Sequence, residues 1–289
     1  MRLASYRLNG VTSYGAVVGG RDLDDLENAR IVDIPRNVPG APSTITDFLA
    51  ARSESGLPVP DGPSVSFVEV ELLPVIPEPR NIICIGVNYV DHASETGASV
   101  PEYPVIFSKF TSSISAHGAP IVIPEDSTQP DFEAELGLVI GAPASRVPVG
   151  EALQAVAGYF TFDDVSARDY QNRTGQWTQG KGFPTFAPTG PYLVTSDEFG
   201  DPAGRRIRLT LADRVMQEAT TSDMIFTVPQ IVSYVSSVCD LRPGDIIATG
   251  TPSGIGAAHT PPRFLRPGDR PTVTIDGLPT LWNPVVAHG

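Results

Sequence analysis

The sequence predicts a strand-rich α+β protein, and three observations carry the prediction. The 289 residues include 27 glycines and 29 prolines, a density that cuts a chain into short elements joined by turns. Apolar residues recur mostly in runs of strand length, some with period-two alternation. One stretch, 228–239, stands out as an amphipathic helix. The length suits one large domain plus a small one around a real core.

Residues 1–73 read as a separate small unit. Strand-like runs at 2–8 and 13–18 come first, then a helix over 45–52 with Ser43 and Thr44 available as caps. LPVPDGP (57–63) is a linker, and Val65, Phe67 and Val70 open a further strand. The proline-rich LLPVIPEPRN marks the boundary into the main domain, 74–289. There, 81–87 is an apolar strand running into a polar helical turn, Tyr89–Glu95, closed by Gly97. Residues 132–140 alternate as a half-buried strand, 149–157 are helical, and 158–162 and 207–211 are strands. Over 228–239, Thr227 caps, Pro229 occupies the first turn, and Ile231, Tyr234, Val235 and Val238 share one face. LRPGD occurs at 241–245 and 265–269, each time before a strand-like run. Proline then glycine suits a type II turn, so both read as hairpin entries.

Twenty basic against 33 acidic side chains leave a net charge of −13, which disfavours nucleic acid and anionic membranes as partners. No apolar run reaches signal-peptide or membrane-span length, so the expected location is cytoplasmic. Cys84 and Cys239 lie in apolar runs and read as two small buried hydrophobes, not as a disulfide or thiolate metal site.

The chemistry concentrates in acidic segments. In Asp131-Phe-Glu133-Ala-Glu135, residues two apart project from one strand face, so Glu133 and Glu135 point together. Two like charges side by side need a cation or solvent. A solvated edge strand would satisfy that pattern alone. A second acidic pair, Asp163 and Asp164, ends another apolar strand, and carboxylates without nearby Cys or His suit Mg²⁺, Mn²⁺ or Ca²⁺. Spacing leaves Asp163 and Asp164 undecided. Glu95 follows His92 by three residues on a helical turn and can orient its imidazole as a general base, although a surface pair would look the same. Lys181, flanked by glycines, is one of the chain's two lysines beside Lys109. It is either a loop lysine in solvent or a cation placed to hold an anionic substrate. TGTPSGIG (249–256) lacks the lysine-serine ending of a phosphate loop and reads as a tight loop presenting N–H groups and hydroxyls.

In order, GVNYVDHASE (86–95), PVIFSKFTSSI (104–114), DFEAELGLVIG (131–141), FDDVSARDYQ (162–171), KGFPTFAPTGP (181–191), TSDMIF (221–226), RPGDIIATGTPSGIG (242–256) and FLRPGD (264–269) closely resemble the fumarylacetoacetate hydrolase family. The resemblance spans 80–289 and barely touches 1–73. It implies a mixed β-sandwich or β-roll catalytic domain, dimeric, behind a small α/β unit. It implies Glu133, Glu135 and Asp164 as ligands of Mg²⁺ or Mn²⁺, with Ca²⁺ as a crystal substitute. His92 and Glu95 resemble the family's water-activating dyad and Lys181 its catalytic lysine; Arg168, Gln171, Thr251 and Tyr89 fall where relatives meet substrate. One departure, Leu211-Ala-Asp-Arg214 where relatives carry an Asn-Gly turn, touches a hairpin and no chemistry. The activity so implied is C–C hydrolysis of a 2,4-dioxo acid of acylpyruvate type through a pyruvate-type enolate. Oxaloacetate-type decarboxylation or isomerisation of a hydroxy-diene-dioate from aromatic catabolism is the alternative. A non-catalytic oxo-acid sensor stands further off, because no ligand or dyad residue is missing.

Overall fold

The computed structural model describes residues 1–55 and 61–289, so part of the expected linker, 57–60, lies outside the described residues. The main sheet is built from β1 (Arg2–Leu8), β2 (Val11–Gly19), β3 (Ala29–Asp33), β4 (Ser64–Ser66), β5 (Ile82–Gly86), β6 (Val105–Lys109), β7 (Ala134–Ile140), β8 (Val156–Asp163) and β9 (Ala187–Thr195). A second sheet holds β10 (Arg206–Leu211), β11 (Arg214–Thr220), β13 (Thr272–Ile275) and β14 (Leu281–Trp282), while β12 (Ile246–Ala248) returns to the first. The order across the first is β4-β3-β2-β1-β9-β8-β7-β12-β5-β6, with two short strands pairing at its side. β1 pairs antiparallel with β9 (Leu3↔Leu193), so the sheet runs unbroken from the N-terminal strands into the rest.

Several local expectations shift for physical reasons. Residues 132–140 are buried on both faces, not half-buried. One face packs Phe132, Ala134, Leu136 and Leu138 into the larger core, and Val139 enters a second cluster with Phe160 and Ile246. On that second side Glu133 is covered because other elements supply cations to it, and Glu135 is buried against the Gly250 N–H. The expected helix at 149–157 is a 3₁₀ segment, Val149–Ala155, and the strand begins at Val156. After β4 the chain makes a 3₁₀ turn, Phe67–Glu69, instead of continuing as a strand. Cys84 is buried, whereas Cys239 is exposed just past a helix end.

Helix α1 (Ile45–Ser55) is capped by Thr44, whose Oγ1 accepts the Asp47 N–H at 3.1 Å. Helix α2 (Val90–Thr96) is closed by Gly97 at φ 70°, with its N–H on the Ala93 and Ser94 carbonyls. Short helices α3 (Arg168–Gln171) and α4 (Thr178–Lys181) follow β8. Helix α5 (Val228–Val238) starts with a capping box in which Gln230 accepts the Thr227 N–H at 2.8 Å. Its buried face is Val228, Ile231, Val232 and Val235; Val238, in the last turn, is 63% exposed and off that face.

Both LRPGD segments form the expected turn. Gly244 and Gly268 have φ of 85° and 92°, and the Asp245 and Asp269 N–H groups donate to the Arg242 and Arg266 carbonyls at 3.0 and 2.9 Å. Only the second leads into a hairpin, β13–β14; the first feeds β12, which lies between β7 and β5. The β10–β11 turn places Ala212 and Asp213 at φ 49° and 61°, conformations that glycine or asparagine adopts more cheaply. The double change Ala212→Asn with Asp213→Gly is therefore expected to stabilise the fold by about 1 kcal/mol. An unchanged denaturant midpoint would show that the turn carries no such strain.

Candidate active site and metal centre

The acidic residues meet where β7 begins and β8 ends. The Asp164 N–H donates to the Glu133 carbonyl at 2.9 Å, and Ala134 pairs with Asp163. Glu133, Glu135 and Asp164 are all buried, each with a carboxylate oxygen within 4.8 Å of the others. Neighbours on a strand point to opposite sides, and the pair left open by spacing divides accordingly. Asp163 turns away to accept the Glu133 N–H at 2.9 Å, while Asp164 enters the cluster. Burial raises the Asp163 carboxyl to about 7, although the Glu133 N–H pulls against this.

Three cations converge on the same carboxylates. Lys181 Nζ lies 2.7 Å from both Glu133 Oε2 and Asp164 Oδ2, and Arg168 Nη1 lies 2.7 Å from Glu133 Oε1. Lys109 Nζ donates to Asp164 Oδ1 at 2.5 Å and to the Val165 carbonyl at 3.0 Å. Burial pushes the Glu133 carboxyl up, but Lys181 and Arg168 outweigh it and hold the group well below the usual carboxylate range. Glu135 is the exception. Its described polar partner is the Gly250 N–H, at 2.8 Å from Oε2. Burial, then Asp164 and Glu133, push its carboxyl well above the usual range. A buried carboxylate with no ion-pair partner among the described residues, beside two others, calls for a proton or a metal. An all-oxygen donor set of this kind fits Mg²⁺ or Mn²⁺ and not a thiophilic ion.

Helix α2 brings the imidazole. His92 Nδ1 is 2.8 Å from Glu95 Oε1, and Glu95 Oε2 accepts the Gly254 N–H at 2.8 Å. An ionised Glu95 places the proton on Nδ1 and leaves the Nε2 lone pair free. The helix is anchored at its root: fully buried Asn88 donates to the Phe226 and Thr249 carbonyls at 3.0 and 2.7 Å and accepts the Phe226 N–H at 2.8 Å. Val87, before it, has φ 53°, an outlier for a β-branched residue.

A cavity of about 380 Å³ joins these groups; Glu133, Glu135, His92, Glu95, Lys181 and Arg168 line it, with Gln171 and Thr251. Phe107 and Trp177, packed edge to face at 5.5 Å, form an apolar wall. Gly86 makes room for that wall, since a Cβ there would stand 2.2 Å from Trp177 Cζ3. Arg168 Nη2 is buried with no hydrogen-bond partner among the described residues. Tyr89 does not join the group. It is 2% exposed, its hydroxyl lacks a partner, and it borders a separate depression with Asp91, Asp223 and Ser253.

Three buried participants escaped the sequence reading as site residues: Lys109, Asp131 and Gln217. Gln217 is a buried residue of β11; it accepts the Ala134 N–H at 2.9 Å and donates to Thr251 Oγ1 at 2.7 Å. The usable signals were lysine scarcity for Lys109 and the DFEAE run for Asp131. Gln217 lies in a polar strand with no local mark.

Comparison with known proteins finds relatives in sequence and in fold. The fumarylacetoacetate (FAA) hydrolase C-terminal family matches residues 81–286. Mitochondrial oxaloacetate tautomerase fahd2 of Xenopus laevis is 40% identical over 275 residues, 92% of this chain and 85% of that protein. A 2-hydroxyhepta-2,4-diene-1,7-dioate isomerase from Mycobacterium marinum superposes with a TM-score of 0.82 at 34% identity, covering 100% of this chain and 99% of that one. A fumarylacetoacetate hydrolase from Exiguobacterium antarcticum gives 0.85 at 32% identity with 100% of each chain covered. With a strand-rich fold, a buried carboxylate triad and similarity along nearly its whole length, the chain belongs to the fumarylacetoacetate hydrolase family.

Proposed function

We propose that the chain is a divalent-metal-dependent enzyme that works on small 2-oxo acids through their enolates. Its first activity in this reading is keto–enol tautomerisation of a 2-oxo dicarboxylate such as oxaloacetate. The carrying observation is the buried Glu133–Glu135–Asp164 triad, of which Glu133 and Glu135 line the same cavity as the His92–Glu95 pair. Relatives named as oxaloacetate tautomerases support the choice of reaction.

The triad would hold Mg²⁺ or Mn²⁺, which when bound supplies Lewis acidity to the substrate's oxo oxygen. The chain's own residues do the rest. Arg168 Nη2 receives a substrate carboxylate, with Gln171 and Thr251 beside it. His92 Nε2 takes a proton from the carbon next to the 2-oxo group, and Glu95 steadies the imidazolium. The Lys181 ammonium, paired with Glu133 and Asp164, would stabilise the negative charge that grows on oxygen. Returning the proton to oxygen gives the enol, and returning it to carbon restores the ketone.

A second reading, hydrolysis of the C–C bond of an acylpyruvate, draws on the cavity itself. About 380 Å³, with Phe107 and Trp177 along one wall, leaves space for an acyl group beyond the oxo-acid head. The same imidazole would then take its proton from water. Homodimer assembly belongs to this proposal, and light scattering at twice the 30.7 kDa chain mass tests it.

Mn²⁺-loaded protein should accelerate the loss of enol absorbance from freshly dissolved oxaloacetate. Release of pyruvate from an acylpyruvate would favour hydrolysis, and release of pyruvate with CO₂ from oxaloacetate would favour decarboxylation. Ligand-induced stabilisation without any of these turnovers would contradict an enzyme and favour a sensor.

A further inference from the structure

We infer that Asp131 is a positioning residue that aims the Arg168 guanidinium into the cavity; the inference rests on the proposed role of Arg168 in receiving a substrate carboxylate. Asp131 is fully buried, and donors meet both of its oxygens. Oδ1 accepts the Phe132 N–H at 2.9 Å and the Gly256 N–H at 2.7 Å. Oδ2 accepts Arg168 Nε at 2.9 Å and the Ala257 N–H at 3.0 Å.

The guanidinium is planar with its donors in a fixed fork, so holding two nitrogens sets the direction of the third. Asp131 holds Nε, while Glu133 and Gln171 hold Nη1 at 2.7 and 2.9 Å. Nη2 is left buried and unpartnered on a side chain that lines the cavity. Without Asp131, the grip on Nη1 alone would let the plane rotate and lose that aim.

The same carboxylate registers the opposite wall. Ile255, Ala257 and Ala258 line the cavity, and their loop is tied down through the Gly256 and Ala257 N–H groups. Gly256 permits the approach, because a Cβ there would stand 2.4 Å from Asp131 Oδ1 and 2.2 Å from the Arg263 carbonyl oxygen. Asp131 thus references a cation and a loop, from distant parts of the chain, to the segment that runs through Glu133 into β7 and Glu135. It neither lines the cavity nor belongs to the carboxylate triad.

The test compares wild type with Asp131→Asn, which keeps the shape and removes the charge, and Asp131→Glu, which keeps the charge and lengthens the arm. Mn²⁺ affinity is read by calorimetry, oxalate affinity on the Mn²⁺-loaded protein, and kcat and KM with oxaloacetate. For Asp131→Asn the expected result is a KM and an oxalate Kd raised about tenfold or more, the scale of a charged hydrogen bond. The Mn²⁺ Kd and kcat should stay within a few-fold, and Asp131→Glu should recover part of the loss. Unchanged oxalate affinity and KM would overturn the inference. So would parallel loss of Mn²⁺ binding, kcat and KM, or unfolding of both variants, since each marks a general structural role. Absence of oxaloacetate turnover in wild type would refute the functional reading alone, and the oxalate arm would still decide the role of Asp131.

Discussion

Glu135→Gln is expected to lower divalent-ion affinity by roughly a hundredfold or more, a loss beyond the range seen when only a ligand's supporting group is removed, and turnover should fall with it. Glu133 and Asp164 each have lysine or arginine partners within the protein, whereas Glu135 has the Gly250 N–H and two like-charged neighbours. The same variant makes a counter-intuitive prediction for metal-free protein: it should melt at a higher temperature than wild type. The sign follows from linkage. Burial and then the neighbouring carboxylates raise the Glu135 carboxyl well above its unfolded value. Its contribution to stability is therefore present at low pH, where it is protonated, and is lost as pH rises through the raised pKa. Chelator-treated wild type should thus lose stability toward neutral pH, and saturating Mn²⁺ should restore it. Glutamine removes the repulsion and the metal rescue together. Calorimetric melts at two pH values, with and without Mn²⁺, read both effects, and a metal-free variant less stable than wild type would contradict the account.

His92→Ala should reduce kcat by about 10²–10⁴-fold, the range of a general acid–base, with Mn²⁺ affinity within a few-fold of wild type. His92 appears among neither the ion pairs of Lys109, Arg168 and Lys181 nor the carboxylate triad, so its removal leaves the metal site standing. Glu95→Gln should also lower kcat, and it should raise KM, because Glu95 docks helix α2 on the Gly254 N–H as well as orienting the imidazole. Steady-state kinetics on both variants separate the roles. Retention of wild-type kcat by His92→Ala would remove this residue from the mechanism.

Much of the fold was legible because alternation and turn chemistry are local. β1, the glycine-closed α2 and both proline–glycine turns sit close to where patterning puts them. What failed to show was long-range. Spacing left Glu133 and Glu135 facing either solvent or a cation, and it could not show that Lys181 and Arg168, far along the chain, meet Glu133 while Glu135 is left to the Gly250 N–H. Spacing left Asp163 and Asp164 undecided and only the resemblance chose Asp164; in the fold Asp163 turns onto the Glu133 N–H and Asp164 enters the cluster. Lys109 reaches Asp164 from β6, at the sheet's far edge, and nothing beside it in sequence marks it. Prolines at 74–79 suggested a boundary, while the Leu3↔Leu193 pairing that joins the sheet has no local signature. The family resemblance put Tyr89 where relatives meet substrate. It is instead buried in the larger core and does not line the cavity.

The most direct test strips the purified protein with a chelator, then titrates Mn²⁺ back while recording ion binding and oxaloacetate turnover in the same sample. One ion per chain should bind, with activity rising in proportion to occupancy, and neither should occur in Glu135→Gln. Undiminished turnover in the stripped protein would contradict the assignment of these three carboxylates to a working metal centre.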